Sequence, residues 1–263
     1  MTQPVTRAGI VLALAVMGCA SRPPSGAPVP SDQHIPDYAK RPFEPFARRN
    51  ALAIAEREWR AFGAIVQDTP PDAEPALDAR PDRQPGLWQR VGDYWWFGQD
   101  AGSKEGKLTP RYDEFGIPYD GVAPAWSAAF ISYVMRASGA GDRFPYSPLH
   151  ADYINAAARQ TGAVRAEAPD RYAPHAGDLI CFGRGEARAM RFEDLPGPRF
   201  LGHCDLVTAA RPGQLTVIGG NVGAAVTKKY VPTTPDGLLW SAGQAVDERY
   251  EWFVVVRILY DGE

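Results

Sequence analysis

The sequence predicts an α+β fold, because amphipathic helical patterns occupy its first part and short extended segments, separated by glycine and proline turns, occupy its last part. The chain has 263 residues, of which 45% are hydrophobic and 22% are charged, so it can bury a sizeable core. The formal net charge is -3 and no block of basic residues is present in the sequence. Nucleic acid is therefore not predicted as a partner.

The N-terminus has the pattern of a bacterial lipoprotein signal. Arg7 precedes an apolar run over residues 8–17, which at about ten residues is roughly half of what a helix needs to cross the hydrocarbon core. The run ends in Val-Met-Gly-Cys at residues 16–19, which resembles a lipobox, and this resemblance implies that Cys19 carries a diacylglyceryl group. We predict a lipoprotein signal peptide over residues 1–19, with an ordinary secretory signal as the alternative.

The residues after the signal have the composition of a tether. Residues 20–41 are rich in proline and poor in large apolar side chains, which predicts a disordered spacer. Ala20 stands where lipoproteins retained at the inner membrane carry aspartate. We therefore expect the protein in the cell envelope at the periplasmic face of the outer membrane, held to it only by the N-terminal lipid.

Two cysteines remain if Cys19 is lipidated. Cys181 and Cys204 lie in strand-like segments of a protein predicted for a compartment where disulfides persist. They form a disulfide if their strands are close neighbours, and are otherwise two small buried hydrophobic residues.

Four helices are predicted from apolar residues at a 3.6-residue spacing and from capping patterns. They cover residues 42–63, 88–96, 126–138 and 147–159. In the first helix the arginines and glutamates are assigned to the exposed face. In the last, Pro148 is assigned to the first helical position. Residues 99–120 are polar and contain glycine, which indicates a long surface loop.

Five strands are predicted after Gly177. They cover residues 178–182, 203–209, 215–219, 224–231 and 252–259. Helices followed by an antiparallel meander give the α+β class, and we find no boundary within residues 42–263, which we interpret as one domain.

The sequence contains four histidines, so the candidates for a general base are few. His203 is the best placed, because it opens an apolar strand directly after Gly202. Alternation along that strand sends His203 and Asp205 to one face and Cys204 to the other, which argues against Cys204 as a nucleophile.

Ser127 is the candidate nucleophile. It begins the third helix, where free backbone N–H groups and the helix dipole favour a developing negative charge. Asn221 follows a strand and could orient the imidazole of His203. The alternative is structural: Ser127 as a helix cap, His203 as an edge histidine and Asn221 as a left-handed turn residue.

The order of short motifs resembles papain-like peptidoglycan hydrolases of the cysteine-histidine-dependent amidohydrolase/peptidase (CHAP) and NlpC type. Those enzymes begin a helix with Trp-Cys-Ala-Ala-Phe or a similar run, and residues 126–130 read Trp-Ser-Ala-Ala-Phe. Gly-Asp-Leu at 177–179, Gly-His at 202–203 and Gly-Asn at 220–221 follow in the same order. The resemblance covers residues 120–260 and implies a papain-like α+β fold with helices packed on a C-terminal antiparallel sheet, preceded by a helical extension over residues 42–120.

The chain departs from that pattern because Ser127 replaces the family's cysteine. A serine hydroxyl does not ionise near neutral pH, so it needs His203 as a base, held by Asp205 or Asn221. The chain more closely resembles an uncharacterised bacterial domain family that carries Trp-Ser-Ala-Ala-Phe-Ile-Ser and His-Cys-Asp runs.

Two functions follow from the resemblance. The first is amide hydrolysis in peptidoglycan stem peptides. The second is a catalytically inactive domain that binds peptidoglycan or an envelope protein complex. Five further side chains are candidates for substrate binding, although adjacent tryptophans also suit a core: Tyr94, Trp95, Trp96, Trp126 and His150.

A zinc-dependent hydrolase is a third alternative. His150, His203 and Asp205 are of types that bind zinc, but the sequence has no HExxH or other recognised ligand spacing. We predict no metal and no cofactor, and the sequence does not predict an oligomeric state.

Overall fold

The computed structural model describes residues 45–67, 80–98 and 125–262, which all belong to one compact unit. They form an α+β fold with four α-helices and a mostly antiparallel sheet, as predicted. The signal peptide with Cys19, the tether and the loop predicted over residues 99–120 lie outside the described residues. Among the described residues, no helix combines the length and the apolar character needed to cross a bilayer.

All four predicted helices are present, with shifted ends. They are α1 (Arg48–Ala61), α2 (Leu87–Gly98), α3 (Ser127–Ala137) and α4 (His150–Ala158). α3 ends just before Gly139, whose φ of 97° suits glycine, and the Ala140 N–H closes the helix by donating to the Met135 carbonyl.

Two details of the helices differ from the prediction. Pro148 lies before α4 rather than in it, and the Ser147 hydroxyl accepts the Leu149 N–H at 3.0 Å just outside the helix. Glu58 was assigned to the exposed face of α1 but is buried, in line with Ala51 and Ala55. Its carboxylate accepts hydrogen bonds from the side chains of Arg57, Arg90 and Tyr94.

The main sheet has six strands in the order β1-β8-β2-β3-β4-β5, and every neighbouring pair is antiparallel. The strands are β1 (Val164–Glu167), β2 (Leu179–Gly183), β3 (Gly202–Arg211), β4 (Gln214–Val222), β5 (Ala225–Pro232) and β8 (Trp252–Ile258). β6 (Trp240–Ser241) and β7 (Gln244–Ala245) form a separate two-stranded ribbon. The five predicted strands are confirmed, and β1, β6 and β7 were missed. An isolated parallel bridge joins Val66 to Lys228.

Alternation along β3 divides its side chains between two core clusters. Cys204 and Leu206 belong to the larger cluster, which also contains buried residues of all four helices. Val207 belongs to the smaller cluster, which contains Trp240 and Tyr250. His203 and Asp205 alternate with Cys204, so they share a face with Val207, as predicted.

Of the two alternatives for the remaining cysteines, the structure has the disulfide. Cys181 on β2 and Cys204 on β3 are register partners in adjacent antiparallel strands, and their sulfur atoms are bonded. Both cysteines are buried, so Cys204 is excluded as a nucleophile.

We expect loss of the disulfide to lower the free energy of unfolding by about 3 kcal/mol, because the bond closes a loop over a sequence separation of 23 residues. The measurement is urea unfolding of the oxidised protein and of a Cys181→Ala/Cys204→Ala variant. An unchanged midpoint in the variant would contradict the expectation.

Candidate active site

Ser127 is the first residue of α3, at the end of the helix where backbone N–H groups lack intrahelical partners. The residue is 7% exposed. Its Oγ lies 2.7 Å from Nε2 of His150, the first residue of α4. A hydroxyl at a helix N-terminus in hydrogen-bond contact with an imidazole is the arrangement expected of a serine nucleophile and its partner.

A tyrosine on α4 completes this contact. The hydroxyl of Tyr153, one helical turn after His150, is hydrogen-bonded to Nδ1 of the same ring. Burial raises the pKa of Tyr153 well above its ordinary value, with a further contribution from Asp205, so the phenol keeps its proton. The phenol therefore donates to Nδ1, and the neutral ring carries its own proton on Nε2 and donates it to Ser127 Oγ.

A second buried imidazole lies beside the first. The ring centroids of His150 and His203 are 5.2 Å apart. Nε2 of His203 lies 2.8 Å from Oδ1 of Asp205, and Nζ of Lys229 lies 2.5 Å from Oδ2 of the same carboxylate. His203, Asp205 and Lys229 form a continuous chain, which we call the charge chain.

Burial sets the charge states of this group. It lowers the pKa of His150 well below its ordinary value, and the nearby His203 lowers it further. Burial also lowers the pKa of His203, with Asp205 acting in the opposite direction. Burial would raise the pKa of Asp205, but Lys229 and then His203 outweigh it, and the net pKa lies below the ordinary value. At neutral pH both imidazoles are neutral and Asp205 is ionised.

These charge states fix the tautomer of His203. An ionised carboxylate only accepts, so Nε2 carries the proton and donates it to Asp205. The lone pair is then on Nδ1. Among the described residues, Nδ1 of His203 has no hydrogen-bond partner, whereas the basic nitrogen of His150 accepts from Tyr153.

Two glycines of β4 make room for the site. A Cβ at Gly219 would lie 1.7 Å from Oδ1 of Asp205, and a Cβ at Gly220 would lie 2.6 Å from the Cβ of Phe130 on α3. The Gly-Gly pair therefore lets the carboxylate approach one side of β4 and α3 approach the other.

The hydrogen-bond partner of Ser127 differs from the one predicted. Among the described residues, its hydroxyl bonds to His150 and not to His203. Position in the sequence could not reveal this, because the ring of His150 reaches Ser127 from a different helix. Of the two predicted partners for His203, Asp205 occupies Nε2. Asn221 instead has the left-handed φ of 57° that suits its alternative assignment as a turn residue.

Three of the five candidate substrate-binding side chains are buried. Tyr94, Trp95 and Trp126 belong to the larger core cluster, which favours the alternative of a core role. Trp126 instead donates its indole N–H to buried Asp82 at 3.4 Å. Trp96 is 50% exposed, and His150 contacts Ser127 directly.

The proposed zinc ligands do not form a metal site. In the part of the chain that the structure describes, no group of three or more His, Cys, Asp or Glu side chains is arranged to hold an ion. The reason is that His150 bonds to Ser127 and Tyr153, while His203 and Asp205 bond to each other.

A cavity of about 380 Å³ lies elsewhere, between Arg48 and Arg257 and beside Asp178. Asp178 directly precedes β2, whereas His203 pairs with Phe182 near the other end of that strand. This cavity is therefore separate from the chemistry at Ser127.

Sequence reasoning missed two members of the site. Tyr153 follows His150 by three residues in a predicted helix, a spacing that puts both on one helical face. Lys229 follows Lys228 in a predicted strand, so one of the two had to point inward. Both patterns are visible in the sequence, but neither indicates which polar group the side chain of Tyr153 or Lys229 contacts.

These features define an α+β protein with a buried Ser–His contact beside a His–Asp–Lys chain. The family model described as "Uncharacterized protein conserved in bacteria (DUF2272)" matches residues 82–258, which include every residue of this site. The chain belongs to that family. The comparisons with curated proteins and with solved structures gave no significant match.

Proposed function

We propose that the chain is a lipid-anchored protein of the bacterial cell envelope whose papain-like domain hydrolyses an amide bond in peptidoglycan stem peptides. The observation that carries the proposal is the 2.7 Å contact between Ser127 Oγ, at the N-terminus of α3, and Nε2 of His150. The charge chain beside it supplies what a serine needs in addition, a neutral imidazole backed by an ionised carboxylate.

The two imidazoles have different roles in this mechanism. His203 is the base, because its Nδ1 lone pair is available and Asp205 stabilises the imidazolium that forms. His150 is a donor, because Tyr153 occupies its Nδ1 and its Nε2 proton points at Ser127 Oγ. A rotation of the Ser127 hydroxyl toward His203 then starts the reaction.

The bonds change as follows. Ser127 Oγ bonds to the carbonyl carbon of the substrate amide while its proton passes to Nδ1 of His203. The oxygen that becomes negative is stabilised by free N–H groups at the start of α3 and by the Nε2 proton of His150. The C–N bond then breaks as His203 returns the proton to the leaving amine. Water attacks the acyl-serine ester with His203 again as base, which releases a carboxylic acid and restores Ser127.

Peptidoglycan is the proposed substrate for two reasons. The motif order resembles that of papain-like peptidoglycan hydrolases, and the lipobox-like run ending at Cys19 would place the domain next to the cell wall. The family's bacterial distribution agrees with such a substrate.

The test is release of muropeptides from purified sacculi by the full chain in detergent. We expect the protein to release soluble fragments with a newly exposed amine, and Ser127→Ala to lose this release by at least about a thousandfold. Ser132→Ala is a matched control, because Ser132 lies on the same helix and bonds to the Ser147 carbonyl instead. Release that persists in Ser127→Ala would contradict the mechanism.

A second candidate is the catalytically inactive domain that binds peptidoglycan or an envelope complex. The observation that favours it is burial, because Ser127, His150 and His203 are each no more than 7% exposed. For this candidate we expect the protein to pellet with sacculi and to release nothing, with Ser127→Ala pelleting equally.

A further inference from the structure

Lys229 is a charged side chain in the interior of the protein. It is 1% exposed, it lies on β5, and its Nζ contacts Asp205 on β3, two strands away. Gly219 on the intervening β4 gives the carboxylate of Asp205 the space it needs, since any Cβ there would overlap Oδ1.

Stability alone gives little reason for such a pair. Removing two charges from water costs several kcal/mol, and well-packed apolar side chains of similar volume often serve a core as well or better. The surroundings of Lys229 are otherwise suited to apolar packing, since Tyr250 and Val231 beside it belong to the smaller core cluster. What an apolar residue at 229 could not do is hold Asp205 in its charged form.

The carboxylate needs that support. Burial favours the neutral form of Asp205, and a protonated carboxyl would no longer be an acceptor on both oxygens. With Lys229 bonded to Oδ2, the other oxygen remains an acceptor for Nε2 of His203.

We propose that Lys229 is a positioning residue for the base: by pairing with Oδ2 of Asp205 it keeps the carboxylate ionised and holds His203 neutral, with its lone pair on Nδ1. The inference rests on the proposed function, because a base is needed only if Ser127 reacts. It goes beyond that function in assigning control of the base to a residue on another strand that does not touch it.

Several charged and titratable groups surround His203 and influence its pKa. They come from α4, from the residue after β2, from β3 and from β5: His150, Arg184, Asp205 and Lys229. Tyr153 bonds to His150 and interacts electrostatically with Asp205. Arg184 and Lys229 both act against protonation of His203, and Asp205 favours it. Loss of the Lys229 charge therefore raises the proton affinity of the hydrogen-bonded Asp205–His203 pair, and the His203 ring senses the added proton whichever of the two groups carries it.

The experiment is an NMR pH titration of the histidine side chains in the ¹⁵N-labelled full chain, without substrate. Lys229→Gln keeps an N–H donor near Asp205 but removes the charge, and Lys229→Arg keeps the charge. We expect the titration midpoint of His203 to move to higher pH in Lys229→Gln and to stay near that of the parent protein in Lys229→Arg.

Three results would overturn the proposal. One is a folded Lys229→Gln protein whose His203 titrates as in the parent. Another is a shift in Lys229→Arg as large as that in Lys229→Gln. The third is failure of both Lys229→Gln and Lys229→Met to fold while Lys229→Arg folds, since the charge would then serve the fold. Because no substrate is used, the outcome is independent of whether the protein hydrolyses peptidoglycan. If the protein hydrolyses peptidoglycan but the His203 titration midpoint does not move in Lys229→Gln, only the role of Lys229 is rejected and the proposed function stands.

Discussion

His203→Gln is expected to reduce amide hydrolysis by at least about a thousandfold, whereas His150→Gln is expected to reduce it by only about tenfold. Glutamine at 203 cannot take a proton from Ser127, so the base is lost. Glutamine at 150 can present an N–H close to the position of Nε2, which lies 2.7 Å from Ser127 Oγ. The measurement is the rate of muropeptide release at saturating sacculi.

His150→Ala is the matched control for the donor role. It removes the N–H altogether, so we expect a loss of roughly a hundredfold, between those of the other two variants. The reverse order, with His150→Gln as damaging as Ser127→Ala and His203→Gln nearly active, would make His150 the base and contradict the tautomers inferred from Tyr153 and Asp205.

Acid is expected to destabilise the protein well above the pH at which ordinary carboxylates titrate. Burial lowers the pKa of both His150 and His203 in the folded state. Below the unfolded pKa of about 6.5 the unfolded chain therefore binds protons that the folded protein does not. The two buried rings therefore leave the free energy of unfolding unchanged above about pH 6.5 and lower it as the pH falls toward their pKa values in the folded protein. While both rings stay neutral, the free energy of unfolding falls by roughly 2 to 3 kcal/mol per pH unit.

Urea unfolding between pH 7.5 and pH 5 measures this slope. His175→Gln is a suitable control, because its side chain is 65% exposed and is solvated in both states. The His150→Gln/His203→Gln double variant is expected to show a much flatter slope. If the free energy of unfolding has the same pH slope in the parent and in the double variant, the two rings are not held in the neutral form by burial.

Local patterns predicted the secondary structure of the described residues well. Apolar spacing located α3, whose Phe130, Ile131, Val134 and Met135 are buried, and Gly139 follows shortly after its last residue. Alternation in β3 separated His203 and Asp205 from Cys204, and the structure then joins Cys204 to Cys181. These predictions held because each depends on the period of one element or on residues two apart.

Features that depend on contacts between distant elements were not predictable in the same way. Glu58 has the pattern of an exposed helix residue and is buried because Arg90 and Tyr94 of α2 bind its carboxylate. Tyr94, Trp95 and Trp126 suited a groove as well as a core by type, and their burial follows from how α2 meets α3. β1 pairs with β8, at the other end of the domain sequence, so no local signal marked it.

The two adjacent lysines of β5 illustrate the same limit. Alternation requires Lys228 and Lys229 to point to opposite faces of the strand. Lys228 reaches Glu56 on α1 at 2.9 Å and lies over the ring of Trp59, and Lys229 reaches Asp205. Neither partner is close in sequence, so the pattern predicted that one lysine points inward and could not predict that it supports a histidine.

The central claim, that Ser127 is a nucleophile activated by its surroundings, is most directly tested by covalent labelling. A fluorophosphonate reacts with an activated serine as Oγ bonds to phosphorus and fluoride leaves, and peptide mass spectrometry locates the adduct without any assumption about substrate. We predict an adduct on Ser127 in the native protein that disappears in His203→Gln and on heat denaturation. Native protein in which Ser127 reacts no faster than it does after denaturation would contradict the claim.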